Sequence, residues 1–276
     1  MLKTILKYDL KAVFKYWWIS ALSSVVLSFV GGWSISVFSS EKELPTVLYV
    51  VATILSIVAV LGIVVFSFAA IIFVYSRFYK NFFTDEGYLT FTLPVKRSQL
   101  LNSKLITSII ATTATGLVIY LDIIIALCVG IPEDILNKEN LRVLWNDIIL
   151  EAFNDMGFHL AIWIVEAMLL LLLFAVFSTL FVFSCITIAS IIAKKAKIIT
   201  AIGIYYVANS VFSAIISMFW LFGIDFIVDL SDSIPQNYSG PVFSLLMLTG
   251  ILFLGMLCVA CYSFQYWMLD RKLNLS

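Results

Sequence analysis

The sequence predicts an all-α membrane protein with six transmembrane helices, an N-terminal amphipathic interfacial helix and both termini in the cytoplasm. The chain has 276 residues, of which 62% are hydrophobic and 12% charged, with a mean hydropathy of +1.07. Soluble domains carry about a quarter charged residues, so this chain lacks the polar side chains to cover its apolar surface and belongs in a bilayer. Runs such as Leu169–Phe174 are apolar at every position, which excludes the period-two alternation of membrane barrel strands.

Six stretches are nearly free of charge, and each reaches the length of about 20 residues that a helix needs to cross the hydrocarbon core. The predicted spans cover residues 17–38, 47–75, 105–131, 160–190, 198–222 and 243–268. The stretches that hold the second and fourth spans exceed the bilayer thickness. We expect these helices to project into the cytoplasm or to tilt.

The orientation follows from the lysines and arginines, which concentrate in cytoplasmic segments. With the N-terminus inside, fourteen of the 17 basic residues lie inside. The other three, Lys42, Lys138 and Arg142, lie outside. Acidic residues show the reverse bias. The opposite orientation would violate this charge rule at nearly every loop.

Residues 1–15 form a separate predicted element. Lys3, Lys7, Lys11 and Lys15 recur every four residues and make one stripe on a helix, with apolar residues on the other side. Such a basic amphipathic helix is suited to the anionic cytoplasmic surface of a membrane. A plain membrane anchor accounts for the same pattern.

Two outer segments have helical spacing. Residues 133–157 predict an amphipathic helix that lies on the surface or packs against the spans. In residues 224–241, Asp225, Asp229 and Asp232 fall on one face of a short helix, which a turn ends between Pro235 and Pro241. No internal repeat or low-complexity linker divides the chain, so we predict a single membrane domain over residues 1–276.

Catalytic and nucleotide-binding motifs are absent from the sequence. It contains neither a phosphate-binding Gly-x-x-x-x-Gly-Lys-Ser/Thr loop nor a His-Glu-x-x-His motif, and its one histidine, His159, cannot form a metal site alone. The four cysteines fall inside apolar stretches without metal-ligand spacing and are expected to be packing residues. We therefore expect no enzyme activity, no metal, no cofactor and no nucleic-acid partner.

Asp122 and Glu166 are ionisable residues within predicted spans, where a charge is costly and often functional. Both lie about 10–14 Å below the outer boundary at 1.5 Å per residue. One interpretation is an outward-facing polar cavity, or a site for a cationic or amphiphilic substrate. The other is a pair of protonated carboxyls bonded to neighbouring hydroxyl or amide groups. The residues alone leave both open.

Small and polar residues predict helix packing. Ser24, Gly31 and Gly32 in the first span allow close approach of another helix, whereas Asn209, Ser210 and Ser213 in the fifth could hydrogen-bond across helices. We interpret both groups as structural.

The loop between the second and third spans, residues 77–104, is the densest polar patch of the chain. It holds five of the 17 basic residues. Asp85 and Glu86 can begin a short helix, and Tyr88, Phe91 and Leu93 offer bulky side chains to a pocket. Pro94 then ends the element.

The run from Asp85 through Glu86, Gly87 and Tyr88 to Val95, followed by Ser103-Lys104-Leu105, resembles the first cytoplasmic loop of ABC-2 type permeases from Gram-positive bacteria. The layout of six spans with an N-terminal amphipathic helix is similar too. In that family the loop docks on a separate ATP-binding subunit, which implies a coupling role for Asp85, Glu86, Gly87, Tyr88, Phe91, Leu93 and Pro94. The outer segment 133–157 departs from the family's tight connection between the third and fourth spans.

The resemblance implies the permease subunit of an ATP-driven transporter in the bacterial plasma membrane. Its expected partners are an ATP-binding subunit and a second copy or a related permease. Export of an amphiphilic or peptide-like compound is what the family implies. The alternative is a stand-alone membrane protein without an ATPase partner: a secondary transporter or a bacteriocin-immunity-type factor. Secondary transporters tend to show inverted repeats and broken helices, and neither is evident in this sequence.

Overall fold

The computed structural model describes residues 2–40, 44–84, 87, 95–132, 142–143, 146, 157–193, 196–233 and 239–271, with the backbone alone for 2, 219–233, 239–240 and 270–271. The described residues form six long α-helices and no strand. Their bounds are α1 Leu2–Phe38, α2 Thr46–Phe83, α3 Arg97–Gly130, α4 Phe158–Ile192, α5 Lys197–Ser233 and α6 Ser239–Arg271. Each contains a segment long and apolar enough to cross a membrane. The predicted six-span, all-helical fold is confirmed to that extent.

The helices pack as two compact units, and the single membrane domain over residues 1–276 stays a prediction. One unit comprises Met1–Thr84 and Pro94–Leu150, and the other Asp85–Leu93 and Glu151–Ser276. The first therefore holds α1, α2 and α3, and the second α4, α5 and α6. Each unit has its own interior.

Helix α1 runs without interruption through the predicted boundary between the interfacial helix and the first span. Residues 2–30 contain neither glycine nor proline, so nothing in the sequence breaks the backbone near Tyr16. The stripe of Lys3, Lys7, Lys11 and Lys15 is exposed, and its placement at a membrane surface stays a prediction.

The polar loop is shorter than the predicted 77–104. Helix α2 continues to Phe83 and α3 begins at Arg97, because the residues at both ends are compatible with a helix. The 38 residues of α2 span about 57 Å, well beyond the hydrocarbon core of about 30 Å. Both helices therefore extend past the bilayer or tilt strongly within it.

The first unit is organised around α1, which lies parallel to α3 and antiparallel to α2. Along the α1–α3 interface Trp17 Nε1 donates a 2.9 Å hydrogen bond to Thr115 Oγ1. Further along, a Cβ atom on Gly32 would lie 2.7 Å from the Cβ of Val129 and 2.9 Å from the carbonyl oxygen of Ala126. The glycine thus permits a backbone approach that no other residue allows, which agrees with the predicted role of small residues in α1.

The second unit repeats this arrangement, with α4 parallel to α6 and antiparallel to α5. Trp163 Nε1 donates a 3.1 Å hydrogen bond to Ser244 Oγ. About six turns later, Gln265 Nε2 donates a 2.6 Å bond to Thr187 Oγ1. These polar contacts at the two ends of the α4–α6 pair fix its register.

The predicted outer helical segments are covered in part. Of residues 133–157 the structure describes 142–143, 146 and 157, and Arg142 and Val143 are helical and exposed. The acidic segment after the fifth span continues α5 to Ser233 rather than forming a separate helix, since residues 197–233 contain no proline. Pro241 falls in the first turn of α6, where its missing N–H costs nothing.

Candidate functional site

The predicted coupling residues lie almost wholly outside the described part of the chain. Asp85, Glu86, Tyr88, Phe91, Leu93 and Pro94 are not described, whereas Gly87 is helical and buried. On either side of this segment, α2 ends at Phe83 with Thr84 as its C-cap, and α3 begins at Arg97. Coupling through this segment stays a prediction.

A buried ion pair joins α1 to the first turns of α3. Lys104 Nζ donates to Asp9 Oδ1, and Ser103 Oγ donates a 2.8 Å hydrogen bond to Asp9 Oδ2. Asp9 is 7% exposed and Lys104 8%. One carboxylate oxygen therefore accepts a hydrogen bond from a charged donor and the other from a neutral donor. A buried carboxylate needs such partners to offset the loss of water.

Sequence reasoning missed this pair. It counted Asp9 and Lys104 as ordinary cytoplasmic charges, although a signal was present. Asp9 falls two residues from both Lys7 and Lys11, about 200° around the helix from each. It therefore lies opposite the lysine stripe, on the face that packs. A lone acid on the apolar face of an amphipathic helix indicates a buried partner.

Arg77 of α2 borders the same region. With Asp9, Lys104, Thr107 and Ser108 it lines a cavity of about 10 Å³, room for about one water molecule. Its Nε atom is buried and has no hydrogen-bond partner among the described residues. Two basic residues and one carboxylate thus meet where all three helices of the first unit come together.

Asp122 is buried at the α1–α3 interface, nearer the middle of the span. It is 1% exposed, and neither carboxyl oxygen has a hydrogen-bond partner within the described chain. The side chains of Ser24 and Ser28 lie against it. Their hydroxyls donate to the carbonyls of Ala21 and Val25 on their own helix, which leaves both carboxyl oxygens of Asp122 without a donor among the described residues.

Glu166 lies in the second unit, on the side of α4 that faces α6. It is one turn from Trp163, which contacts Ser244 and Phe243, and one turn from Leu170, whose side chain approaches Gly250. Its Oε2 atom is buried without a partner in the described part of the chain. Asp122 and Glu166 belong to different units, so a cleft shared by the two stays a prediction.

A groove of about 710 Å³ lies between α4 and α5 in the second unit. Aromatic rings from both helices line it. Phe177 and Phe212 have ring centroids 5.4 Å apart, and Phe181 and Tyr205 5.9 Å. Polar side chains, including Asn209, lie between the rings. We name this opening the α4–α5 groove.

Within the described part of the chain, Asn209, Ser210 and Ser213 of the fifth span make no side-chain hydrogen bond to another helix. Ser210 Oγ donates to the carbonyl of Val207 on its own helix, at 2.9 Å. Asn209 and Ser213 make no side-chain hydrogen bond with any described residue, and both line the groove. Sequence reasoning identified these residues as polar but assigned them to packing. The spacing from 209 to 213 is one helical turn, and it places them on one face of α5.

The fold and these interiors define the class: the described residues form six helices long and apolar enough for a multi-pass membrane protein. The helices are arranged in two three-helix units, each of which buries a carboxyl along a parallel helix pair. Comparisons with known protein families, with curated proteins and with solved structures find no match.

Proposed function

We propose that this chain is the membrane-spanning permease subunit of an ABC-2 type transporter in a bacterial plasma membrane. One observation carries this function: the stretch from Asp85 to Lys104, which resembles the coupling segment of that family, connects two of six membrane-spanning helices. The sequence has no phosphate-binding loop of its own, so ATP hydrolysis belongs to a separate subunit.

The lengths of α2 and α3 suit such a coupling role. They have 38 and 34 residues, about 57 and 51 Å, so both are longer than the hydrocarbon core is thick. A partner that docks between Asp85 and Pro94 acts on the ends of two long, continuous helices. Its closure on ATP shifts these helices and the permease between inward-facing and outward-facing states.

The Asp9–Lys104 pair extends this movement to α1. Lys104 is in the second turn of α3, which follows the coupling segment. It forms a salt bridge with Asp9 of α1. Separating a buried pair leaves an uncompensated charge, which costs about 3–5 kcal/mol. A displacement of α3 therefore carries α1 with it rather than breaking this contact.

The transported compound is an amphiphilic or peptide-like molecule, and its pathway is shared with a second copy of this chain or a related permease. Export is the direction that the family resemblance favours. Two three-helix units, each with its own buried interior, supply internal surfaces that a nucleotide-driven rearrangement can expose in turn.

Affinity purification tests the proposal. The tagged chain is expressed in its native host, and co-purifying proteins are identified by mass spectrometry and assayed for ATP hydrolysis. We expect an ATP-binding subunit in stoichiometric amount. Glu86→Arg and Tyr88→Ala should each reduce its recovery at least about tenfold, because both remove anchors of a small interface.

The matched control is Glu133→Arg, an equivalent charge reversal in the predicted outer segment, which should leave the complex intact. Recovery of an active ATPase complex with both loop variants would show that the segment does not couple. The absence of any ATP-binding partner would contradict the transporter class itself.

A proton-coupled secondary transporter is the second candidate, and Asp122 is the observation that favours it. A carboxyl that is 1% exposed with neither oxygen bonded is a group able to gain or lose a proton during transport. Asp122→Asn would then abolish pH-driven uptake or efflux in vesicles that lack ATP. In an ATP-driven permease the same variant leaves partner ATPase activity unchanged.

A further inference from the structure

The α4–α5 groove has the size and the walls of a small-molecule site. Its volume of about 710 Å³ falls within the roughly 300–1,000 Å³ of typical ligand pockets. Phe177 and Phe181 of α4 contact Phe212 of α5 at centroid distances of 5.4 and 6.3 Å. Because these rings pack against one another across the two helices, the apolar wall exists before any ligand binds.

The described residues that line the groove carry no charge. Its lining consists of aromatic and aliphatic side chains together with hydroxyl groups and one amide, and it includes no aspartate, glutamate, lysine or arginine. A charged ligand would enter without a counter-ion, which a low-dielectric site strongly disfavours. The groove therefore selects for uncharged compounds.

Asn209 gives the groove its chemical specificity. It lies twelve residues after Lys197, where the span Lys197–Met218 begins, hence about 18 Å along the helix and close to the middle of a 30 Å core. Its side-chain amide has no partner among the described residues, and lipid tails offer none. Ser213, one turn further, adds a hydroxyl on the same face.

We propose that the α4–α5 groove binds an uncharged, largely apolar compound that carries an amide group. The amide of such a ligand both donates to and accepts from Asn209, while its apolar part lies against Phe177 and Phe212. This assignment rests on the proposed transport function only in naming the substrate class. The binding itself requires no ATP-binding subunit.

A pair of photoreactive probes tests the site on the purified full-length chain in lipid nanodiscs. The probes are N-dodecyl-4-benzoylbenzamide and its ester counterpart, dodecyl 4-benzoylbenzoate, which differ in the N–H donor. After irradiation, adducts are mapped by mass spectrometry and quantified against probe concentration. We expect saturable adducts between residues 174 and 217, with the amide bound more tightly than the ester.

Asn209→Leu removes the hydrogen-bonding group from an exposed helix position and keeps the branched shape of the side chain. The variant should weaken binding of the amide probe about tenfold, since the amide loses a hydrogen bond made away from water. Binding of the ester probe should weaken less, because the ester has no N–H donor. Ser213→Trp should fill the groove and abolish labelling by both probes. Ser210→Ala is the matched control, because Ser210 bonds its own backbone, and it should change nothing.

Three outcomes would overturn the site. The first is an even spread of adducts over all six helices, and the second is unchanged binding of the amide probe by the Asn209→Leu variant. The third is high-yield cross-linking of two chains in membranes through Ser213→Cys, because that would show that a second copy covers the groove. If the probes do not bind but the ATPase complex is intact, the proposed ligand site is wrong and the proposed transporter class stands. If the probes bind but no ATPase partner is found, the ABC-2 class is wrong and the proposed ligand site stands.

Discussion

Lys104 and Asp9 form an ion pair across the α1–α3 interface although ninety-five residues separate them in the chain. Ser103 completes the coordination of the carboxylate from the same turn of α3. The pair is buried at the end of α3 that follows the polar segment between α2 and α3. It fixes α1 to that end of α3 with a contact that is costly to separate.

Removing one partner of this pair should destabilise the first unit strongly. Lys104→Met leaves Asp9 buried without its cation, and we expect a loss of about 3–5 kcal/mol in the free energy of unfolding. The double variant Asp9→Leu with Lys104→Met should recover most of that loss, because two apolar side chains replace two charges. Denaturant titration in detergent micelles, followed by circular dichroism, measures both values.

Lys11→Met is the control for this experiment. Lys11 lies on the exposed stripe of the same helix, so its removal should change stability by less than about 0.5 kcal/mol. If Lys104→Met were equally mild, the pair would contribute nothing to the fold.

Asp122 should be replaceable without loss of stability. Both of its oxygens are buried without hydrogen-bond partners in the described chain, and a buried unsatisfied polar group costs about 1–3 kcal/mol. Asp122→Leu keeps the branched arrangement of heavy atoms but replaces the two oxygens with methyl groups, so it should leave the free energy of unfolding unchanged or raise it. Thr115→Val gives the comparison, since it removes the acceptor of the Trp17 hydrogen bond and should cost about 1 kcal/mol. A larger loss from Asp122→Leu than from Thr115→Val would contradict the prediction.

Gly32 should tolerate no larger residue. A Cβ at this position would stand 2.9 Å from the Ala126 carbonyl oxygen and 2.7 Å from the Val129 Cβ, so Gly32→Ala must push α1 and α3 apart. We expect a loss of about 1–3 kcal/mol, the usual cost of overpacking. Gly116→Ala is the matched control within α3, because a Cβ there meets nothing within 4 Å. It should stabilise the helix by up to about 1 kcal/mol. Thermal unfolding of the two variants should shift in opposite directions.

Replacing Ala196, immediately before α5, with glycine should raise the stability of the protein. Its φ of 57° lies in the left-handed region, which costs a residue with a Cβ about 1–2 kcal/mol. Ala196→Gly relieves that strain, less the entropy that glycine adds to the unfolded chain. Gly157, with φ of 53° and ψ of −132° before α4, is the converse case, and Gly157→Ala should destabilise the protein by about 1–3 kcal/mol. Thermal unfolding should move upward for the first variant and downward for the second; equal shifts in one direction would argue against both backbone assignments.

Polarity along the chain predicted the helices well, because a span needs only local information. Each of the six charge-poor stretches became a membrane-length helix. Their ends were less predictable. Hydropathy placed the end of the second span at residue 75, but α2 continues to Phe83, since a helix outside the hydrocarbon core needs compatible residues rather than apolar ones.

The partners of buried polar groups were not predictable in the same way. Sequence reasoning singled out Asp122 because it interrupts an apolar run, yet nothing in the sequence showed that Ser24 and Ser28 lie against it. Asp9 was overlooked because its neighbours in sequence are lysines. Its burial depends on contact with α3, which only the folded chain provides.

The sequence by itself determined six helices that are long and apolar enough to cross a membrane, because lipid imposes length and polarity on every span. It also marked residues 77–104 as the polar segment between two of them. Only the tertiary structure decided that Asp9 pairs with Lys104, that Gly32 meets Ala126, and that Asn209 faces an aromatic groove. Those contacts join residues far apart in the chain, and they depend on which helix faces pack together.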